Sequence, residues 1–330
     1  MKIVLGFSGG VDSSVSAMLL KSEGYEVFGL YLDNSDDKTR ESALSTARHI
    51  GIPLKVIDIK DELENHVCRP FTEAYLSGRT PNPCIICNPA VKFKELLLYA
   101  DSIGAEKIST GHYARADSGM LFKGLPANDQ SYMLCRLTRE QVSRAVFPLG
   151  CYEKAQVRSM ASEMCLPTAD KPDSMEICFI SDNDHISWLC SRAEMPGEGD
   201  FIFHGKRLGR HAGIYRYTVG QRRPGLFDGR KLYISHIDAK SNSVELTLWE
   251  ELFKTEVHAS DFNWLCDKPS EPVRAQARVR HTKWEMPFCT AVAEGDLVKV
   301  LCDTPVRAPA PGQSAVLYDG DRVLGGGFII

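Results

Sequence analysis

The sequence Gly-Phe-Ser-Gly-Gly-Val-Asp-Ser-Ser, residues 6–14, directly follows the apolar run Ile3-Val4-Leu5. That run predicts a buried strand, and the apolar spacing from Val15 to Lys21 predicts a helix. The motif therefore lies where a strand passes into a helix. Gly9 and Gly10 let the backbone turn tightly and approach an anion without an intervening Cβ, and the N–H groups at a helix start attract phosphate. These residues predict a phosphate-binding loop.

The loop differs from the commoner nucleotide-binding motifs. It lacks the Gly-x-x-x-x-Gly-Lys-Ser/Thr pattern of a Walker A loop, and no Gly-x-Gly-x-x-Gly makes it a dinucleotide fingerprint. The run from Ser8 to Ser13 instead resembles the PP-loop of the ATP-pyrophosphatase superfamily. Enzymes of that superfamily cleave ATP between the α and β phosphates and adenylate a substrate oxygen. An ordinary Gly- and Ser-rich turn is the alternative interpretation.

Strand and helix patterns alternate through the first half of the chain. The strand candidates are Lys2–Gly6, Glu26–Leu32, Leu54–Ile59 and Lys107–Ser109. The helix candidates are Asp12–Glu23, Thr39–Ile50, Leu63–Leu76, Ala90–Ile103, Glu153–Met164 and a stretch from Asp184 to Arg192. Strands separated by helices predict an α/β fold with a parallel sheet and helices on both faces. Ligands of such sheets bind at the carboxyl ends of the strands, where the phosphate-binding loop falls.

The composition changes after Met195-Pro196-Gly197. Short alternating runs punctuated by Gly, Pro, Asp and Asn follow, and they include Lys231–Ile237, Ser243–Leu248, Val273–Arg280, Asp296–Leu301 and Ser314–Tyr318. This pattern predicts antiparallel β modules. We therefore expect three domains: an ATP-binding catalytic domain over residues 1–195, a small β-rich central domain over 196–252, and a C-terminal antiparallel β-barrel over 253–330.

The bulk composition is that of a globular chain. Its 330 residues are 43% hydrophobic and 25% charged, and the net charge of −4 excludes a surface coated in basic residues while allowing local basic patches. No run approaches the roughly 18 apolar residues of a membrane span, and the N-terminus has no signal-peptide layout. We expect a cytoplasmic protein. Its 11 cysteines would then be mostly reduced, so a special pair among them would be catalytic, redox-active or metal-binding.

Two motifs place cysteines in distinctive surroundings. In residues 78–89, Gly-Arg-Thr-Pro-Asn-Pro-Cys-Ile-Ile-Cys-Asn-Pro, three prolines predict a stiff, extended loop that holds Cys84 and Cys87. A zinc half-site or a dithiol would explain this pair, but a four-ligand zinc site needs a second close pair, which the other cysteines do not supply. In residues 173–180, Cys178 lies in a short, strand-like apolar run. A buried core thiol is the simplest interpretation of Cys178 alone.

At these cysteines the chain resembles the tRNA-specific 2-thiouridylase family, and the similarity covers nearly the whole sequence. It includes the PP-loop, both cysteine motifs, Thr110-Gly111-His112-Tyr113-Ala114-Arg115, Asp129-Gln130-Ser131-Tyr132, Thr218-Val219-Gly220-Gln221-Arg222 and Pro311-Gly312-Gln313-Ser314-Ala315-Val316. The PP-loop alone is shared with GMP synthetases and other ligases. The two cysteine motifs in this order are far more specific.

The resemblance implies ATP-dependent 2-thiolation of the wobble uridine, position 34, in the anticodon stem-loop of tRNA. Cys178 would carry sulfur as a persulfide supplied by a donor protein, and Cys87 would be the second catalytic cysteine. Their disulfide would be reduced after each turnover. The implied ATP contacts are Gly6, Phe7, Ser8, Gly9, Gly10, Val11, Asp12, Ser13, Leu32 and Gly111. Mg²⁺ is expected with the ATP phosphates.

Cys84 introduces an alternative mechanism. Some family members have an acidic residue at this position, viewed as a proton-transfer group, whereas this chain has a thiol there. Cys84, Cys87 and Cys178 together could instead hold a [4Fe-4S] cluster with one open iron, as proposed for some sulfur-inserting relatives.

Three runs are candidates for tRNA contact: Asn128, Asp129 and Gln130; residues 221–223; and the basic run that begins Arg278, Val279, Arg280 and ends at Trp284. The last alternates basic residues along a strand face and ends in an aromatic, which suits phosphate contact with base stacking. A solvated strand face is the alternative interpretation.

Two other functions remain open. A PP-loop ligase that adenylates a small metabolite would explain the loop but neither the cysteine motifs nor the β-rich half. An RNA-binding module with a structural metal would leave the phosphate loop without a purpose.

Overall fold

The computed structural model describes residues 1–34, 37–172, 177–180, 184–223, 229–282 and 286–330. The chain divides into two units. The first unit contains residues 1–67, 84–179 and 321–323, and the second contains residues 68–83, 180–320 and 324–330. This division does not test the domain boundaries expected near residues 195 and 252, which stay predictions.

The sheet of the first unit is parallel, as the alternating pattern predicts. The strands are β1 (Lys2–Gly6), β2 (Glu26–Asp33), β3 (Leu54–Asp58), β4 (Lys107–Ser109), β5 (Ala114–Asp117), β6 (Met120–Lys123) and β7 (Ala145–Val146). Five of them pair in the order β3-β2-β1-β4-β7, and every pairing is parallel. The bounds of β1 and β4 are those predicted. β5 and β6 form an antiparallel hairpin that the sequence patterns did not indicate.

Helices cover both faces of this sheet, which confirms the predicted fold class. In chain order, the helices up to residue 163 are α1 (Val11–Ser22), α2 (Asp37–Ile50), α3 (Lys60–Leu63), α4 (Arg69–Leu76), α5 (Pro83–Cys87), α6 (Phe93–Ser102), α7 (Arg139–Arg144) and α8 (Lys154–Glu163). Of these, α4 belongs to the second unit. Ile3 and Leu5 of β1 pack with residues of α1, α2 and α8 in one apolar cluster. On the opposite face, Gly6 lies against Leu96 of α6. None of the helices in the described ranges combines the length and apolarity needed to cross a membrane.

Two helical stretches are longer than the sequence indicated, and each contains a π-helical turn. Glu64–Cys68 joins α3 to α4, and Asn88–Lys92 joins α5 to α6. The prediction that prolines keep residues 78–89 extended is therefore wrong from Pro83 onward. Pro83 starts α5, where the missing N–H would have had no helical partner. Proline has no N–H to donate to a helical hydrogen bond, and Pro89 lies in the π turn, where the regular α-helical hydrogen-bond pattern is already interrupted.

The second unit contains a small sheet and a β-barrel. Its elements from residue 185 are α9 (His185–Cys190), β8 (Gly199–Phe203), β9 (Lys206–His211), β10 (Tyr233–Asp238), β11 (Ser243–Thr247), β12 (Phe253–Trp264), β13 (Val273–Arg278), β14 (Phe288–Glu294), β15 (Leu297–Arg307), β16 (Ser314–Asp319) and β17 (Arg322–Ile329). The small sheet has the order β10-β11-β8-β9. β8 and β11 run parallel, so the expectation of a purely antiparallel module is wrong for this pair.

The C-terminal barrel is closed and antiparallel, as predicted. Its strands follow the order β12-β15-β14-β13-β16-β17, and β12 also pairs with β17. β12 reaches both neighbours because its 12 residues contain two register shifts, and such irregularities bend a strand. Alternate side chains fill the interior, as Val298, Val300 and Cys302 do on β15.

Candidate active site

The phosphate-binding loop lies between the carboxyl end of β1 and the start of α1. Gly9 has a φ of +69°, and a Cβ there would lie 2.6 Å from Ala43 Cα, so only glycine fits. Gly10 is the N-cap of α1, and no described side chain caps this helix start. The first N–H groups of a helix have no partner within it. The loop therefore presents backbone donors and the positive end of a helix dipole to an anion.

The serine hydroxyls of the loop have different roles. Ser13 Oγ and Ser14 Oγ donate to the Gly10 carbonyl at 3.1 and 2.8 Å, and both serines are buried. Ser8 is exposed, and its Oγ lies 3.2 Å from Ser13 Oγ. Ser13 and Ser14 thus hold the shape of the loop, whereas Ser8 is the hydroxyl most open to a ligand.

Asp12 belongs to an ion pair that the sequence did not indicate. Lys154 Nζ lies 2.6 and 2.7 Å from the two Asp12 carboxylate oxygens, and the Tyr113 hydroxyl donates to Oδ1 at 2.7 Å. The ammonium group offsets the one negative charge in the loop, which would otherwise repel a phosphate. Because Asp12 and Lys154 are 142 residues apart, no local sequence signal could have identified the pair.

Gly111 and Leu32 lie at the same edge of the sheet as the loop. A Cβ on Gly111 would lie 3.1 Å from Asp12 Cβ and 3.2 Å from Ser13 N, so the missing side chain lets this backbone approach the start of α1. Leu32 is half-buried near the end of β2. Both positions are compatible with the predicted ATP contacts, which stay predictions.

Cys87 ends α5 and is half-buried. Burial raises the pKa of its thiol to about 11, while the positive charge of Lys92 acts in the opposite direction. Lys92 ends the π turn that starts directly after Cys87. The thiol is therefore protonated near neutral pH, and Lys92 is the cation that favours its thiolate. Burial also raises the pKa of Cys84, although that side chain is more exposed.

Cys178 lies in surroundings different from those of Cys87. It is exposed and lies in a turn with Phe179, so the expectations of a strand and of a buried core thiol are both wrong. Asn34 Nδ2, directly after β2, donates to the Cys178 carbonyl at 3.0 Å. Cys178 contributes to the raised pKa of both Cys84 and Cys87, so the three thiols lie within electrostatic range of one another. Residues 173–176 of this motif lie outside the described residues.

The three thiols do not form a ready-made metal site. Across the described residues, no group of three His, Cys, Asp or Glu side chains is arranged to hold a metal ion. That set includes Cys84, Cys87 and Cys178, which the alternative mechanism assigns to a [4Fe-4S] cluster. The arrangement therefore does not fit the cluster.

His112 lies beside Phe93, the first residue of α6, and is neutral. Its ring lies 6.3 Å from that of Phe93 and 6.4 Å from that of Phe147, and Nδ1 is 2.7 Å from Thr110 Oγ1. Desolvation in these surroundings, aided by the charge of Lys92, lowers the pKa of His112 well below its usual value. The imidazole is therefore uncharged at neutral pH.

In the first candidate tRNA-binding run, residues 128–130, two side chains accept hydrogen bonds from backbone N–H groups of the protein. Asp129 is buried, and its Oδ1 accepts from the backbone N–H groups of Gly124 and Ser131, both at 3.0 Å. Gln130 Oε1 accepts from the Tyr113 N–H at 2.9 Å. Asn128 is half-buried. The side chains of Asp129 and Gln130 thus have structural partners, and RNA contact by this run stays a prediction.

The basic run of the barrel also has internal partners. β13 ends at Arg278, whose guanidinium lies 5.5 Å from the centre of the Tyr318 ring. Val279 is buried, and Arg280 donates to the carbonyls of Ala308 and Val219. Arg278 and Arg280 are half-buried and have partners within the protein, and RNA contact by Arg278, Val279 and Arg280 stays a prediction. Lys283 and Trp284 lie outside the described residues.

Three domain families match successive parts of the chain. They are described as "tRNA methyl transferase HUP domain" over residues 1–182, "tRNA methyl transferase PRC-barrel domain" over 190–247 and "Aminomethyltransferase beta-barrel domain" over 254–329. Among solved structures, an NMN synthetase from Francisella tularensis is 19% identical and covers 52% of this chain and 66% of its own, with a TM-score of 0.36.

Full-length relatives share a single description. "tRNA-specific 2-thiouridylase MnmA" from Syntrophotalea carbinolica is 42% identical over 344 residues, covering 99% of this chain and 98% of the relative. A protein of the same name from Acetivibrio thermocellus is 40% identical over 354 residues, covering 99% of both chains. The chain belongs to the tRNA-specific 2-thiouridylase family.

Proposed function

We propose that this chain catalyses ATP-dependent 2-thiolation of the wobble uridine, position 34, in the anticodon stem-loop of tRNA. One observation carries the proposal most strongly: Cys87 and Cys178, 91 positions apart in the sequence, come within electrostatic range of each other in the unit that contains the phosphate-binding loop. The Asn34 hydrogen bond ties Cys178 to the carboxyl edge of the sheet. Because tRNA is the substrate, we assign the reaction to the cytoplasm.

The first step is adenylation of the base. Uracil O2 attacks the α phosphate of ATP, pyrophosphate leaves, and the N3 proton is lost, so a poor leaving group becomes AMP. The backbone donors at the start of α1 would hold the phosphates. Asp12 is already paired with Lys154 and Tyr113, so we expect Mg²⁺ to arrive with the nucleotide and to keep several waters. The target uridine would leave its stack to reach the site.

The second step is sulfur transfer. A donor protein first delivers a sulfane sulfur to Cys178, and the terminal sulfur of this persulfide attacks C2 of the base while AMP departs. The Cys87 thiolate then attacks Cys178 Sγ and breaks the S–S bond, so the sulfur stays on C2 and N3 regains a proton. The electrons for this reduction come from the two thiols, which end as a disulfide that an external dithiol must reduce.

The two thiol environments support this division of roles. An exposed cysteine is accessible to a donor protein, as Cys178 is. A half-buried thiol with a raised pKa is protected from the donor and from oxidants until the substrate arrives, as Cys87 is. The three matched domain families also support the three-domain organisation, with boundaries near residues 195 and 252.

The test measures nucleosides by mass spectrometry from tRNA incubated with the protein, ATP and a persulfide source. We expect 2-thiouridine at position 34 with the unmodified protein and with Cys165→Ser, which removes an exposed cysteine outside both motifs. Cys87→Ser and Cys178→Ser should each abolish the product while ATP binding persists. Full thiolation by both of these variants would exclude the proposed chemistry.

Cys84→Ser separates the persulfide route from the cluster alternative. The persulfide route needs only Cys87 and Cys178, so we expect this variant to keep thiolation. Loss of thiolation together with loss of iron and sulfide from anaerobically purified protein would instead favour the cluster.

A further inference from the structure

Lys171 lies against the phosphate-binding loop without belonging to any of its motifs. Its Nζ donates to the Gly9 carbonyl at 2.9 Å and to Ser42 Oγ of α2 at 2.5 Å. The side chain is half-buried. An ammonium group is therefore held on the rim of the loop, beside the glycine whose conformation shapes it.

The charge of Lys171 has no counter-ion among the described residues. Its two hydrogen bonds go to a neutral carbonyl and a neutral hydroxyl, which leaves one of the three ammonium donors available. Desolvation by burial lowers the pKa of Lys171, and no carboxylate in the described part of the chain opposes this effect. Lys154, which begins α8 and also reaches the loop, is instead paired with Asp12. A partly buried cation without a partner is costly unless an anion completes its site.

We propose that Lys171 is a ligand of the ATP phosphates and that phosphate binding there affects the reactivity of Cys178. The inference rests on the proposed function, since it assigns a further residue to the same nucleotide site. The missing anion is then supplied by the triphosphate, which the neighbouring N–H groups of α1 also attract. Lys171 interacts through a charge-assisted hydrogen bond, the stronger class of such bonds.

The second part of the proposal follows from the backbone contacts. Lys171 precedes Cys178 by seven residues in the sequence. Arg158 of α8 donates to the carbonyls of Ala169 and Lys171 at 3.2 and 3.1 Å, and Asn34 holds the Cys178 carbonyl. The chain before the cysteine motif and Cys178 itself are thus attached to elements that surround the phosphate-binding loop. A phosphate that binds Lys171 would therefore act seven residues from Cys178 in the sequence, although residues 173–176 between them lie outside the described residues.

The test measures binding of α,β-methylene ATP, which cannot be cleaved between the α and β phosphates, to the full-length chain by calorimetry. We expect Lys171→Met to weaken binding by about 10- to 100-fold, the scale of one hydrogen bond to a charged group. Lys171→Arg should keep most of the affinity, and adenosine, which lacks phosphates, should bind both variants equally. Lys21→Met is the matched control, because Lys21 also donates to a backbone carbonyl, that of Ile50, but at the far end of α1.

A second readout follows the alkylation rate of Cys178. In the unmodified protein we expect the nucleotide analogue to change this rate, and in Lys171→Met we expect no change at saturating analogue. Should Lys171→Met fail to fold, Lys171→Gln keeps a donor for the Gly9 carbonyl and removes only the charge. Unaltered analogue affinity in folded Lys171→Met or Lys171→Gln would overturn the inference alone. Absence of analogue binding by the unmodified protein would overturn the proposed function as well.

Discussion

The end of α5 and the turn at Cys178 lie in the same unit, but the cysteines they carry differ in exposure and in surroundings. Cys87 is half-buried on a helix, burial raises the pKa of its thiol, and Lys92 is the nearby cation that opposes this effect. Cys178 is exposed in a turn and is held through its backbone carbonyl by Asn34. The difference indicates that the Cys178 thiol is accessible to another protein, whereas the Cys87 thiol is partly shielded and protonated.

This contrast matters because a sulfur relay needs both properties. A thiol that receives sulfur from another protein must be accessible, and a thiol that later breaks the persulfide bond must not react too early. A second exposed thiol beside the first whose pKa was not raised would be open to disulfide formation before any substrate bound.

Removing each thiol should block a different stage of sulfur handling. Cys178→Ser should take up no sulfur from a persulfide donor, whereas Cys87→Ser should load one sulfur per chain, because Cys87 is not needed until the substrate is bound. Intact-mass spectrometry after incubation with the donor, without tRNA, measures the added mass of one sulfur atom, about 32 Da. Loading of Cys178→Ser at Cys87 would reverse the assigned roles.

The two thiols should also differ in reactivity in the resting protein. At pH 7.5 we expect iodoacetamide to label Cys178 at least about 10-fold faster than Cys87, because only the thiolate reacts and Cys87 is both enclosed and protonated. Peptide mass spectrometry over a time course gives both rates from one sample. Equal rates would remove the contrast between the two sites.

Lys92 should account for part of the remaining reactivity of Cys87. Its positive charge lowers the pKa of Cys87 against the effect of burial, so Lys92→Met should raise that pKa further. Alkylation of Cys87 near pH 8 should then slow by about 3- to 10-fold, since one pH unit is tenfold in thiolate. Lys94→Met is the control, because Lys94 lies two residues further on and pairs with Glu62 at 2.9 Å. An equal effect of both variants would show that Lys92 has no specific role.

The smallest effect concerns alkaline stability, and Cys135 provides the test because it is fully buried. Burial raises its pKa to about 12, above the value of about 8.5 for an unfolded thiol. The neutral thiol therefore stabilises the fold fully below about pH 8.5, and this contribution is lost as pH rises toward 12. Cys135→Ala lowers the free energy of unfolding at pH 7.5 by leaving a small cavity.

The unmodified protein and Cys135→Ala differ in their free energy of unfolding. This difference should narrow by about 1.4 kcal/mol for each pH unit above 9, because only the unmodified protein loses the contribution of the Cys135 thiol. Urea unfolding at pH 7.5, 9.5 and 10.5 measures this. A difference that stays constant would contradict the assigned direction of the pKa shift.

The loop and the sheet could be predicted because their signals are local. The apolar run Ile3-Val4-Leu5, the glycines after it and the spacing of α1 are contiguous, so β1 and the start of α1 fall within one residue of the expected bounds. The barrel strands were also visible as alternating runs. The parallel pairing of β8 with β11 was not, because no local pattern specifies which strand is the partner.

The details of the cysteine site were harder to predict. Pro83 at a helix start and Pro83 in a loop look alike in sequence, so α5 was missed. Cys178 was expected in a strand because its neighbours Ile177, Phe179 and Ile180 are apolar, yet it lies in an exposed turn. Lys92 reaches Cys87 through a π turn, whose spacing differs from that of a regular helix. Local sequence patterns specify neither the helix start at Pro83, nor the turn at Cys178, nor the π turn before Lys92.

The most direct measurement of the relay is the fate of Cys87 and Cys178 in a single turnover. Protein loaded with one sulfur is mixed with ATP and substrate tRNA without reductant, quenched with excess N-ethylmaleimide, and digested for mass spectrometry. We predict one Cys87–Cys178 disulfide for each 2-thiouridine formed, with Cys165 alkylated throughout. Formation of 2-thiouridine while Cys87 remains a free, alkylated thiol would contradict the account.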